Sequence, residues 1–187
     1  TIFFAIALLT TFSSCSEVID NPGTEPSQES VQLEIAISDK IQSKTVATDE
    51  GEIYSVTWTG SETVSVNGQH SKAIEVDADN PKRAVFTFDN VSAPYASVYP
   101  ASACKSVSGT TGTVFLPSEQ KYVAGSFDPD AALMVGYSKQ EGKVEFHHAT
   151  SYILVNFKVS DSTPFESLTV SGNQAESMSG EFFADFT

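Results

Sequence analysis

Basic residues are scarce in this chain: ten Lys and Arg stand against 24 Asp and Glu, giving a formal net charge of −14. A protein without a basic patch has no electrostatic footprint for nucleic acid or for anionic lipid, so neither is an expected partner on grounds of charge. Cysteine is nearly absent. Cys15 and Cys104 are the only two, which excludes a disulfide framework and a CxxC metal pair. Cys104, in YPASACKSV, reads as a small buried apolar residue rather than a reactive thiol. Lys105 beside it could lower its pKa, but no His lies near it in sequence.

Histidine is limited to three residues, His70, His147 and His148. The last two are adjacent, so on a strand they point to opposite faces and cannot both face one metal. His70 is expected to be solvated. No GxSxG, HExxH, P-loop or GxGxxG motif is present. Asp77, Asp79 and Asn80, and Asp128 with Asp130, could offer oxygens to calcium, but neither group has the full acidic and glycine pattern of a calcium loop. They read as solvated turn carboxylates. Two carboxylates could serve a glycosidase, but their separation cannot be read from sequence. No catalytic residue, metal site or cofactor is therefore expected, and the chain is not expected to be an enzyme.

Long apolar runs are also lacking. The longest lies at the start, where eight of the first nine residues of TIFFAIALLTTFSSCS are apolar. It falls short of the roughly 20 apolar residues a transmembrane helix needs. The pattern is that of a secretory signal over 1–14, ending in the Ser-Ser-Cys junction at which bacterial lipoproteins are cut and acylated. Cys15 is then the expected lipidation site, carrying palmitate-type chains that tether the protein to a membrane. One acyl chain binds only marginally, so several are expected. The initiator Met and basic start are missing, and EFFADFT ends inside a strand-like segment, so a chain cut at both ends is expected.

Residues 15–30 are polar and acidic, with two prolines and a glycine. They read as a flexible lipoprotein tether. Order is expected from Val31. In VQLEIAIS, Val31, Leu33, Ile35 and Ile37 share one side, the period-2 mark of a half-buried strand. The polar stretch after it predicts a long exposed loop. Short strand-like runs then recur between turn signals: TVSV before Asn67-Gly68, KAIEV, AVFTFDNV, ASVYP, TVFLP, ALMVGYS, KVEFHHATSYILVNFKV and SLTVSG. Asn-Gly suits a type I′ hairpin. Val, Phe, Tyr and Thr dominate the runs, as strands prefer. No segment has a 3.6-residue period. Many short strands spaced by turns predict an all-β antiparallel sandwich or barrel.

Four segments in order resemble the fimbrillin-like family of Bacteroidota surface lipoproteins. They are WTGSETVSVNG (58–68), FDNVSAPYASVYPAS (88–102), LPSEQKYVAGSFDPDAALMVGYS (116–138) and VEFHHATSYILVNFKV (144–159). The resemblance implies transthyretin-like β-sandwich domains, an N-terminal one over 31–160 and the start of a second over 161–187. It implies a structural or adhesive subunit of fimbriae (pili), exported to the outer membrane as a lipoprotein. A trypsin-like protease would remove the tether and first strand, and another pilin subunit would donate a strand to the groove. Val31, Leu33, Ile35 and Ile37 belong to the strand expected to be removed. The family's cut usually follows an arginine, and the only arginine here is Arg83, inside the domain. Lys40 and Lys44 occupy the loop where a cut is expected. Three options follow: processing at lysine, an uncleaved anchor subunit, or a surface lipoprotein outside any pilus.

An alternative reading is an uncleaved, lipid-anchored lipoprotein that binds host or microbial surface glycan or protein. Trp58, Tyr95 and Tyr99 would be its stacking platforms, although a lone Trp opening a strand is more often packed in a core. A secreted hydrolase has no support beyond the abundance of Asp and Glu.

Overall fold

The structure, a computed structural model, describes residues 30–38, 56–123, 126–153, 155, 166–173 and 176–187. In chain order its strands are β1 (Ser30–Ile37), β2 (Ser65–Val66), β3 (Gln69–His70), β4 (Ala73–Val76), β5 (Arg83–Asp89) and β6 (Tyr95–Tyr99). After a 3-10 turn at Ala101–Ala103 come β7 (Cys104–Ser108) and β8 (Thr111–Leu116). A second 3-10 turn at Pro129–Ala131 precedes β9 (Met134–Ser138), β10 (Lys143–His148) and β11 (Gly180–Asp185).

The chain forms the all-β sandwich that its alternation predicts. Eight strands make one sheet in the order β3-β2-β6-β9-β10-β1-β5-β4, and β11-β8-β7 make a second. The large sheet curls round its own inner face. Leu33 and Ile35 of β1, Phe86 and Phe88 of β5, Tyr95 and Tyr99 of β6 and Phe146 of β10 meet there in one core. Burying such side chains contributes roughly 1.5–3 kcal/mol each. One ladder departs from the antiparallel expectation: β1 runs parallel to β10, with Ile35 opposite Val144.

The small sheet covers the outer face of β6 and β9. Ala96, Val98, Val114, Leu133 and Phe186 form this second core. All five residues of β6 are buried, because Tyr95 and Tyr99 enter the first core while Ala96 and Val98 enter the second. A strand covered on both faces loses polar alternation, and ASVY is apolar except for Ser97. Gly112 makes the second layer possible: a side chain there would run into the Ser106 carbonyl and the Phe186 ring.

β11 lies within 161–187, expected to begin a second domain. Its ladder runs to β8, with Phe182 opposite Val114. The alternation of residues 144–159 predicts a strand running on past His148; of the residues beyond it, 149–153 and 155 are described and form no strand. β10 ends at His148. Its neighbour β9 begins at Met134, opposite His148, and one further bond joins the Ala149 N–H to the Leu133 carbonyl. Beyond that the segment paired with β10 turns away into Pro129–Ala131, and Ile153 is 67% exposed. SLTVSG likewise forms no strand among its described residues, and Leu168 and Val170 are exposed. CKSVS, weakly patterned, becomes β7 through its pairing with β8.

The Asn67-Gly68 turn forms as expected. Both residues have positive φ, 52° and 82°, and the turn joins β2 to β3. The Asn67 side chain also reaches across to the β5–β6 connection. Its Nδ2 donates to the carbonyls of Ser92 (3.0 Å) and Pro94 (3.1 Å), and its Oδ1 accepts from the Ala96 N–H (2.9 Å). Asn67→Asp keeps the acceptor and the tolerance for positive φ, but sets a carboxylate against two carbonyls. It should cost about 1 kcal/mol, read as a melting temperature lower by roughly 2–4 °C.

Candidate functional site: the slot filled by the first strand

β1 lies inside the large sheet, with a neighbour on each side. Seven residue pairs join it to β5, from Ser30–Asp89 to Ala36–Arg83, and four join it to β10, from Glu34–Lys143 to Ile37–Phe146. Main-chain bonds also reach past the ladders. Glu34 N–H donates to the Gly142 carbonyl (2.9 Å), Ile37 N–H to Lys82 (2.9 Å) and Ser38 N–H to Phe146 (2.8 Å). The alternation expected of Val31, Leu33, Ile35 and Ile37 is present. Leu33, Ile35 and Ile37 are buried, and Val31 packs against the same core. Three such side chains contribute about 5–9 kcal/mol, comparable to the whole stability of a domain, roughly 5–15 kcal/mol. Without β1, two facing rows of backbone groups and an apolar trench would lie open between β5 and β10.

The floor of the trench is aromatic. Trp58 stands edge-on to Phe86 (ring centroids 5.1 Å), Tyr99 (5.4 Å) and Phe146 (6.1 Å). Offset or edge-to-face rings gain beyond their buried area. The Trp58 N–H donates to the Pro81 carbonyl (2.8 Å). Its indole Nε1 is buried with no partner.

A tight turn behind Trp58 holds it in place. Glu62 Oε1 accepts from the Thr59 N–H (2.7 Å) and hydroxyl (2.7 Å), and Oε2 from the N–H groups of Gly60 (2.8 Å) and Ser61 (3.0 Å). Gly60 takes φ +96°, which a side chain would resist. Burial pushes the Glu62 carboxyl upward, but the bonds from Thr59, from its own turn and from Gly60 outweigh it and leave the pKa below the ordinary 4.5. The turn therefore stabilises the fold above the unfolded pKa and loses that contribution as pH falls through the folded value.

The same geometry corrects the stacking platform. A sugar stacks only on an accessible ring face, yet Trp58 is 3%, Tyr95 1% and Tyr99 7% exposed. All three are core side chains. The Tyr95 hydroxyl donates to Glu141 Oε2 (2.8 Å). Burial, aided by the charges of Glu62, Asp130 and Tyr152, pushes the Tyr99 phenol up to about 12. Asp128 is corrected as well. It is buried, not solvated, and its carboxylate accepts from the N–H groups of Lys121 (2.8 Å) and Asp130 (3.1 Å), so it organises the loop before β9. Asp77 closes its own turn, accepting from the N–H groups of Asp79 (2.9 Å) and Asn80 (3.1 Å). His70 is exposed.

Cys104 is half-buried and packs against the second core. The Lys105 ammonium sits 4.9 Å from the centre of the Phe115 ring. Among the described residues, no group of three or more His, Cys, Asp or Glu side chains could hold a metal ion. Among them, no helix is long and apolar enough to cross a membrane. Cys15, Lys40 and Lys44 lie outside the described residues. No protein-family model, curated protein or solved structure matches the chain.

His148 was not expected to matter, since its run reads as continuous strand. It ends β10, and its Nδ1 lies 3.1 Å from the Tyr152 hydroxyl. Burial lowers its pKa below 6.5, and the neighbouring His147 adds to this. The unfolded chain then binds the proton more readily. Stability is full above pH 6.5 and falls as pH drops from there towards the folded pKa. Melting curves from pH 7.5 to 5 should show that decline, and His148→Gln should flatten it. For the trench floor, Trp58→Ala should cost about 3–5 kcal/mol in chemical denaturation.

Proposed function

We propose that the chain is a structural or adhesive subunit of bacterial surface fimbriae, in which β1 is a removable strand and its slot receives a strand from another subunit. One observation carries the reading: β1 is a central strand whose alternating side chains fill an apolar trench and whose backbone serves two neighbours. A β-sandwich that loses such a strand presents a template for strand addition, where the main chain supplies affinity and alternate side chains supply specificity. Export as a lipoprotein through Cys15, with palmitate-type chains holding it to the outer membrane, is part of the same proposal. So is cleavage after Lys40 or Lys44. The transthyretin-like topology belongs here too; β11, within 161–187, pairs with β8, so that segment is part of the same sandwich and not the start of a second.

The partner in this reading is another pilin subunit, with a host or microbial surface as the eventual contact. No catalytic step is assigned. An uncleaved anchor subunit would keep β1 in place and its lipid attached.

The test uses two proteins, the chain and a variant lacking residues 31–37. The variant should form oligomers or aggregates in light scattering. A peptide of sequence SVQLEIAIS should restore a monomer, and the same peptide with aspartate in place of its Leu and central Ile should fail. A variant that remains a stable, monodisperse monomer without peptide would sink the reading.

A further inference from the structure

The outer face of the large sheet carries a hollow of about 620 Å³, in the size range of small-molecule sites, roughly 300–1,000 Å³. Its floor is the outward side of β1. Ala36 lies between Arg83 of β5 and Glu145 of β10, and Glu34 lies beside Lys143. Ala36 is small, so the floor is low while its flanks carry long charged side chains. Arg83 and Glu145 stand two strand spacings apart, about 10 Å. Tyr137, Ser138 and Gln140 complete one wall.

Charge sets this place apart. Lys82, Arg83 and Lys143 are three of the ten basic residues in a chain of net charge −14. Lys143 Nζ lies 3.7 Å from Glu34, a long, exposed contact. Arg83, the only arginine, is exposed and makes no ion pair or side-chain hydrogen bond among the described residues. A guanidinium presents a planar fork that matches a carboxylate in two parallel bonds. The remaining lining is rich in hydroxyl, amide and carboxylate groups, which exchange hydrogen bonds with sugar hydroxyls.

We propose that this hollow binds an acidic saccharide, a sugar whose carboxylate is gripped by Arg83 and whose hydroxyls are met by Glu145, Glu34 and Tyr137. The site differs from the buried aromatic positions, and removal of β1 in strand exchange would abolish it. It exists only where β1 is in place, because β1 forms its floor.

Calorimetric titration of the full chain tests this with three probes: D-glucuronic acid, D-glucose and N-acetylglycine. D-glucuronic acid should bind saturably at millimolar concentration, at least tenfold tighter than the other two. Arg83→Gln should weaken it at least tenfold with unchanged melting. Arg83→Lys, which keeps the charge and loses the fork, should fall between. Three results would overturn the proposal: no saturable binding of D-glucuronic acid, equal binding of N-acetylglycine, which would indicate a peptide-type carboxylate, or affinity indifferent to both Arg83 variants.

Discussion

A strand in the middle of a sheet answers for two rows of backbone groups at once, and in this protein that strand is β1. Its N–H and carbonyl groups serve β5 on one side and β10 on the other. Its inward side chains complete the core between Phe86, Phe88 and Phe146. Edge strands can be lost with modest damage. A central strand cannot, because its absence exposes unsatisfied polar groups and apolar surface together. β1 is also far in sequence from both of its neighbours, β5 beginning at Arg83 and β10 at Lys143. The position most costly to vacate is therefore held only by pairings that are distant in sequence.

The rest of the architecture braces that slot. Trp58 forms its floor, and the Glu62 turn fixes Trp58 by gathering four donors onto one carboxylate. β6 transmits order outward, since its two faces belong to two different cores. The small sheet then shields β6, with Gly112 leaving room for Phe186. On the outer side of β1, the same strand that packs Leu33 and Ile35 inward presents Glu34 and Ala36 to the charged hollow. One strand thus serves the core with one set of alternate residues and a surface site with the other.

Much of this was legible in the sequence because period 2 is a direct consequence of a half-buried strand. Val31 to Ile37, Asn67-Gly68 and the Phe86–Phe88 face follow from local chemistry alone. What local chemistry could not supply was the partner. The sequence 149–159 carries as clear an alternation as β1, yet its described residues, 149–153 and 155, form no strand, since the segment beside β10 turns away before Leu133. CKSVS has little alternation and is still a strand, because β8 lies beside it. The aromatic residues failed as surface candidates for a related reason. Trp58, Tyr95 and Tyr99 have polar tips that suggest exposure, but all three are buried in the core of the curled sheet, which only tertiary structure reveals. Arg83 stands out in the sequence by its rarity, but there it reads only as an arginine inside the domain, away from the loop where cleavage is expected. Its place in a hollow depends on β1, β5 and β10 being neighbours.

The central claim is that β1 can be removed and its slot refilled. The most direct measurement is the N-terminus of the native protein recovered from the cell surface, read by mass spectrometry. The account predicts chains beginning at Ile41 or Thr45, after Lys40 or Lys44, with tether and first strand gone. Chains that all begin before Val31, whether or not Cys15 is acylated, would contradict it.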